Sequence, residues 1–197
     1  MNQLKFKISL LKRLAVIISA VAVFSVFFLP GQAAAFNGGV GAGVFVPNSD
    51  MAKHFNPGYD LYAYASFNII PTLFDIRLQG DWYHATGKSG SVDVVNRTYN
   101  ADSKFSALGY EAIAVLAPTL FPIVKPYAGV GWGFYTSTFE VRGYSETKSG
   151  NGAVGIAGVG INVLIVRISL DGKYFTNTID NEDFGGYRVG LSASIYF

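Results

Sequence analysis

Phe74-Asp75-Ile76-Arg77-Leu78-Gln79-Gly80-Asp81-Trp82-Tyr83 decides the fold. Phe74, Ile76, Leu78 and Trp82 fall on one parity, with Gly80 between them; Asp75, Arg77, Gln79 and Asp81 fall on the other. Successive side chains of a strand point to opposite faces, so this stretch makes a ribbon apolar on one side and charged on the other. Wound as a helix, the same residues would scatter charge all round. The segment is a strand.

The pattern recurs outward in both directions. Val166, Ile168, Leu170 and Tyr174 alternate with Arg167, Ser169, Asp171 and Lys173. Tyr187, Val189, Leu191, Ala193, Ile195 and Phe197 oppose Arg188, Ser192 and Ser194, and Leu61, Ala63, Ala65 and Phe67 oppose Tyr62, Tyr64, Ser66 and Asn68. Glycine-rich strands over about 36–46, 105–116, 124–140 and 152–163 complete a set of eight. Short connections at 69–72, 117–122 and 163–165 alternate with longer polar ones at 47–58, 86–104, 142–151 and 176–186. An up-and-down transmembrane barrel generates this order, with short periplasmic turns and longer external loops. The fold class expected is all-β, an eight-stranded antiparallel up-and-down transmembrane β-barrel over residues 36–197.

Residues 1–35 read as a cleaved signal peptide. Lys5, Lys7, Lys12 and Arg13 form a basic front, Leu14 to Leu29 an apolar run, and Ala33-Ala34-Ala35 a small-residue cleavage site. Sixteen apolar residues fall short of the roughly 20 that a spanning helix needs. Cleavage removes four of the 15 basic residues and none of the 13 acids, leaving 11 bases and a net charge of −2. The basic character therefore belongs to the precursor and gives no reason to expect a nucleic-acid partner. The absence of cysteine excludes a disulfide framework and a thiolate metal site. Charged residues make up only 14% of the chain, yet no apolar run after residue 35 could span a bilayer as a helix. A barrel spreads its apolar surface over alternate residues of many strands and so escapes a hydropathy window.

The two faces predict two environments. Trp82, Trp132, Phe134, Tyr174, Tyr187 and Phe197 lie near strand ends on the apolar face, where rings suit a membrane interface. Asp75, Arg77, Asp81, Glu111, Arg167, Asp171, Lys173 and Arg188 lie on the other, which becomes the lumen. Eight strands enclose barely enough room for side chains, so these four acids and four bases are expected to pair and plug it. Gly129, Gly131 and Gly133 share that face with Tyr127 and Tyr135, giving bulky neighbours space.

Lys125-Pro126-Tyr127-Ala128-Gly129-Val130-Gly131-Trp132-Gly133-Phe134-Tyr135 resembles the Pro-Tyr-x-Gly-x-Gly-x-Gly strand of small OmpA/OmpX-like outer-membrane barrels. The ending Gly190-Leu191-Ser192-Ala193-Ser194-Ile195-Tyr196-Phe197 resembles the terminal strand by which the barrel assembly machinery recognises its clients. The resemblance covers the barrel domain only. It implies residence in a Gram-negative-type outer membrane among its lipids and lipopolysaccharide. It also implies that Phe197, Ile195 and Leu191 form an assembly signal. Members of the family include adhesins, structural barrels, small pores and enzymes, so one activity does not follow.

Other motifs carry less. His84, in Trp82-Tyr83-His84-Ala85-Thr86, invites comparison with the His-x-Ser pair of outer-membrane lipid A deacylases, but the third position is Thr86 and no acid is placed to orient the ring. The other histidine, His54, shows no metal-ligand spacing. Asp180-Asn181-Glu182-Asp183 lacks the glycine-centred spacing of a calcium loop and reads as a solvated acidic loop. Gly129-x-Gly131-x-Gly133 and Gly158-x-Gly160 continue as strands, not into a helix, so no nucleotide cofactor is expected. The function expected is non-enzymatic: a structural or adhesin-like barrel whose external loops meet host or envelope surfaces. A narrow pore for small solutes or hydrophobic molecules is the alternative, and a lipid A-modifying enzyme ranks third.

Two outcomes follow from the ends of the chain. Amino-terminal sequencing of outer-membrane material should begin Phe36-Asn37-Gly38-Gly39; an intact Met1 chain in the inner membrane contradicts the targeting reading. Deleting Phe197 removes about 2–3 kcal/mol of burial, which a closed barrel survives. The truncated chain should accumulate in the periplasm yet refold in detergent, and normal outer-membrane levels would refute the assembly signal.

Overall fold

The computed structural model describes residues 36–70, 73–88, 92–94, 97–99, 103–118, 123–141 and 144–196. Residues 1–35, read above as a signal peptide, residues 71 and 72 of the first expected short connection, and Phe197 lie outside the described residues. Eight long strands follow one another: β1 (Phe36–Pro47), β2 (Gly58–Ile70), β3 (Phe74–Thr86) and β4 (Lys104–Leu116). They continue as β5 (Val124–Val141), β6 (Tyr144–Val163), β7 (Val166–Phe175) and β8 (Gly186–Tyr196). Each pairs antiparallel with the next, and β8 returns to β1 in unbroken register from Asn37↔Tyr196 to Pro47↔Gly186. The sheet is a closed barrel with no edge along its wall. Closure is what hydrocarbon requires, because each backbone group left unpaired there costs several kcal/mol.

The strands differ at their two ends. At one, the turn end, the strands are joined through residues 71–73, 117–123 and the two-residue turn Leu164-Ile165, with Leu164 at φ 56°. The other, the loop end, carries a short helix α1 (Ser49–His54), strand pairs at Val92–Val94 with Arg97–Tyr99 and at Thr178–Ile179 with Glu182–Asp183, and a long hairpin.

The loop expected over 142–151 is instead strand from Tyr144 onward. Pairing between β5 and β6 runs without interruption from Val124↔Ile161 to Val141↔Tyr144. Polarity suggested a loop, but Ser145, Thr147 and Ser149 alternate outward on a ribbon that has left the bilayer, where polar outward residues are the normal choice. Thr138 and Thr147 face each other across it with hydroxyls 3.1 Å apart.

The outer face marks where the membrane ends. Along β5 the outward residues are Val124, Ala128, Val130, Trp132 and Phe134, then Thr136 and Thr138. Trp132 and Phe134 are 51% and 64% exposed, which in water would be an apolar liability and in lipid is the bonding surface. Ten residues of strand tilted by about 40° cover roughly 26 Å, the height of an outer-membrane belt. Trp82, Tyr110, Tyr174 and Tyr187 are exposed on this same face, with Tyr174 and Tyr187 paired at 5.0 Å across β7 and β8.

Candidate functional site

Inside the barrel, strand parity delivers charge. All eight lumen residues named from the sequence point inward, but they separate into layers. Lys173 on β7 forms the hub of the central layer: Nζ donates to Asp81 Oδ1 at 2.6 Å and to both oxygens of Glu111 at 3.0 Å. Arg188 on β8 donates to Asp171 and, more weakly, to Asp60 Oδ2 at 3.4 Å. These groups are wholly buried, with the Lys173, Arg188, Asp60, Asp81 and Glu111 side chains at 0% exposure. Gln79 donates to Asp81 at 2.9 Å.

Tyrosines complete the layer. Tyr62 and Tyr127 hydroxyls donate to Asp171 Oδ2 at 3.2 and 3.0 Å, and Tyr135 donates to Glu111 Oε1 at 2.9 Å. The guanidinium of Arg188 lies 3.7 Å from the Tyr62 ring centroid, so the ring shields one face of the cation while its hydroxyl serves the cation's own partner. Glycine makes room for these rings. A Cβ on Gly41 would sit 2.3 Å from Tyr62 Cζ, and one on Gly133 would sit 2.5 Å from the Tyr135 hydroxyl.

The remaining three sequence-named residues lie nearer the turn end. Arg77 stacks on Tyr64 and Tyr127, 4.3 and 5.1 Å from their centroids, with Nε 3.4 Å from Ser66 Oγ. Arg167 Nε donates to Asn162 Oδ1 at 2.9 Å. Asp75, partly exposed, is within electrostatic range of Arg167, Arg77 and Lys125. Sequence reading placed Gln79 on this face but missed Asp60, Lys125 and the donor role of the tyrosine hydroxyls. Parity would have found the two charges, since Asp60 shares a face with Tyr62 and Lys125 shares one with Tyr127.

Toward the loop end the lumen changes character. Phe45, Tyr83, Phe105, Phe139 and Phe175 come from β1, β3, β4, β5 and β7 and meet across the bore, none more than 5% exposed. Tyr83 and Phe175 stack at 4.6 Å, Phe45 reaches Tyr83 at 5.2 Å, and Phe105 reaches Phe139 at 5.3 Å. Met51 of α1 and Phe55 just after it lie over them at 0% and 1% exposure; Phe184 closes the side against Phe139 at 5.2 Å. Lys88 clamps the helix from outside, its Nζ 2.5 Å from the Ala52 carbonyl. This apolar stopper was not foreseen.

The acidic loop also differs from expectation. Asp180 and Asn181 adopt φ of 50° and 70° at the tip of a tight hairpin, and Asp180 pairs with Lys148 on β6. Asp183 accepts from Asn48 Nδ2 at 2.7 Å and from the amides of Asn177 and Gly185 at 2.9 Å each. Its carboxylate ties loops together where a purely solvated one was expected. His84 faces outward, its ring 5.1 Å from Tyr59 and 6.2 Å from Trp82 in an interfacial aromatic group. Leu191 and Ile195 are exposed on the lipid face of β8.

A closed antiparallel barrel with an apolar belt outside and a charged, side-chain-filled lumen is a transmembrane β-barrel of the outer-membrane class. Solved structures agree. Neisserial surface protein A superposes with a TM-score of 0.60 at 16% identity, covering 85% of this chain and 100% of that one. The outer membrane protein OprG from Pseudomonas aeruginosa gives 0.64 at 10%, covering 84% and 97%, and Ail, the attachment invasion locus protein of Yersinia pestis, gives 0.51 at 13%, covering 84% and 99%. No protein-family model and no curated protein sequence matches the chain. The resemblance to small OmpA/OmpX-like barrels holds at the level of fold, and fold and belt together place the chain in an outer membrane.

Lys173→Met strands Asp81 and Glu111 in the bore without their shared cation. Removing one side of such a group costs about 3–5 kcal/mol. Equilibrium urea unfolding in detergent should show that loss, and adding Asp81→Asn with Glu111→Gln should restore most of it. An unchanged midpoint for Lys173→Met would mean that water already screens the group.

Proposed function

We propose that this barrel is a non-conducting, non-enzymatic outer-membrane protein that acts at the cell surface through its loop-end structures, in an adhesin-like or structural role. The observation that carries the reading is the aromatic stopper. Five strands contribute rings to it, and it lies in series with the ionic layer of Lys173 and Arg188. A solute path would have to displace both a dry apolar layer and a hydrogen-bonded charge network. Side chains that fill a lumen this completely favour a structural role for the charges over an ion path.

What then faces the outside is the extended β5–β6 hairpin. Its outward residues Thr136, Thr138, Thr147 and Ser149 are hydroxyl-bearing, and Tyr144 near its tip is 73% exposed. An aromatic raised on a rigid polar ribbon suits contact with a host or envelope surface, since aromatics dominate interface energetics at small entropic cost. At the belt, Tyr59, Trp82 and His84 suit the headgroup level of lipopolysaccharide. The apolar residues Leu191 and Ile195 of β8, with Phe197 following in the sequence, are the part offered to the assembly machinery. Short turns on the periplasmic side and longer structures outside give the orientation.

Planar-bilayer recordings test the reading. The refolded protein should insert without stepwise openings, whereas sustained ion-selective conductance would favour the pore. In parallel, a chain whose hairpin is trimmed by replacing residues 138–147 with a tight turn should stay heat-modifiable on gels yet lose adherence of expressing cells to host monolayers. Unchanged adherence would remove the hairpin from the interaction.

A further inference from the structure

The lumen balances its charge as a whole but not layer by layer. Among the described residues, ten charged side chains point into the membrane-embedded bore: Asp60, Asp75, Asp81, Glu111 and Asp171 against Arg77, Lys125, Arg167, Lys173 and Arg188. The central layer holds four of the acids and only two of the bases. Arg77, Lys125 and Arg167 therefore gather toward the turn end with one carboxylate, Asp75, between them. Counted over the described side chains, that mouth carries a formal surplus of two positive charges.

Local geometry draws the cations together. Gly160 on β6 is the register partner of Lys125 on β5, and the stem of Arg167 lies across it; a Cβ there would meet Arg167 Cδ at 2.6 Å. The Arg167 side chain leans toward β6, its Nε donating to Asn162 Oδ1 at 2.9 Å. Arg77 closes the inner side, held between Tyr64 and Tyr127.

Solvent reaches this mouth and not the layers beyond it. Asp75 and Lys125 are partly exposed, Arg167 and Arg77 are 8% and 6% exposed, and the central carboxylates and cations beyond them fall to between 0% and 4%. Among the described residues the lumen thus forms a shallow vestibule, reached by solvent at the turn end and shut above. Its rim is aliphatic: Ile70, Leu73, Ile123, Leu164 and Ile165 are 45% to 96% exposed.

We propose that this vestibule binds a phosphate-type dianion, as a free oxyanion or as the phosphate of a lipid headgroup. Two surplus positive charges match a dianion, and guanidinium forks and an ammonium are the donors such oxygens prefer. Low-dielectric walls strengthen the attraction beyond that of a surface patch. The aliphatic rim would let a headgroup enter with its acyl chains still in hydrocarbon.

The test uses the full-length mature protein in an uncharged maltoside detergent, with Lys125→Gln and Lys125→Gln/Arg167→Gln as variants. Heat-dependent gel migration verifies that each variant is a folded barrel, and the single variant alters a partly exposed side chain that the central network does not use. Inorganic phosphate is titrated with 31P NMR line broadening as the readout, against chloride at equal ionic strength. Saturable broadening in the parent, weakened about tenfold or more in the variants, supports a free-oxyanion site. If phosphate does not bind, native mass spectrometry after exposure to phosphatidylglycerol or phosphatidylcholine provides the second arm. Preferential retention of the anionic lipid, lost in the variants, supports the headgroup. Absence of both effects, or equal effects in parent and variants, overturns the proposal.

Discussion

Everything in this molecule depends on the seam between β1 and β8. Once Asn37↔Tyr196 through Pro47↔Gly186 is formed, every wall strand has two neighbours and no backbone group of the wall needs water. Closure also fixes parity. A one-residue slip at any pair would send Arg188 or Asp81 into lipid and Leu191 or Trp82 into the bore, so the register is specified by the cost of exchanging environments. The sheet does not rely on a hydrophobic core within the membrane. It relies on an apolar outside and a bore whose charges can be made to agree.

That agreement is achieved by shared partners more than by isolated pairs. Lys173 serves two carboxylates, Asp171 receives an arginine and two tyrosine hydroxyls, and Arg188 lies against the ring of one of those tyrosines. In a bore too narrow for bulk water, each tyrosine supplies both a donor and apolar filling. Glycines opposite the rings, such as Gly41 against Tyr62, are the other half of the same arrangement. Glycine and tyrosine, already set beside one another on the lumen face of β5 by the sequence pattern, are what allow an ionic core to be packed.

The architecture was legible because parity survives wherever one face meets lipid. Phe74 to Tyr83 announces its strand without help, and the β7 and β8 patterns repeat it. Legibility failed where the chain leaves the membrane. There the rule inverts: Trp132 and Phe134 point outward, but a few residues further on Thr136 and Thr138 do, and Phe139 points in. Hydroxyl-rich strand beyond the belt therefore looked like loop, and the inward rings that build the stopper, four phenylalanines and Tyr83, were invisible as a group because five strands each supply one. Asp60 and Lys125 were missed for a simpler reason. Each stands at the end of its strand, where the alternating pattern had been read from the residues further in.

The inversion also separates the molecule's tasks. Within the belt, the wall is held by lipid outside and by charge inside. Beyond it, the same strands behave as a small water-soluble sheet wrapped around Met51, Phe55, Phe105 and Phe139. Two differently stabilised bodies thus share one continuous hydrogen-bonded wall. Loops that rest on the upper body can change without disturbing the ionic layer, because the stopper stands between them and seals that layer from outside water. The ionic layer, in turn, stays strong because it is dry on that side. A barrel built this way keeps its loop-end structures and its membrane anchorage physically independent, and among the described residues the turn end is where solvent and lumen charge meet.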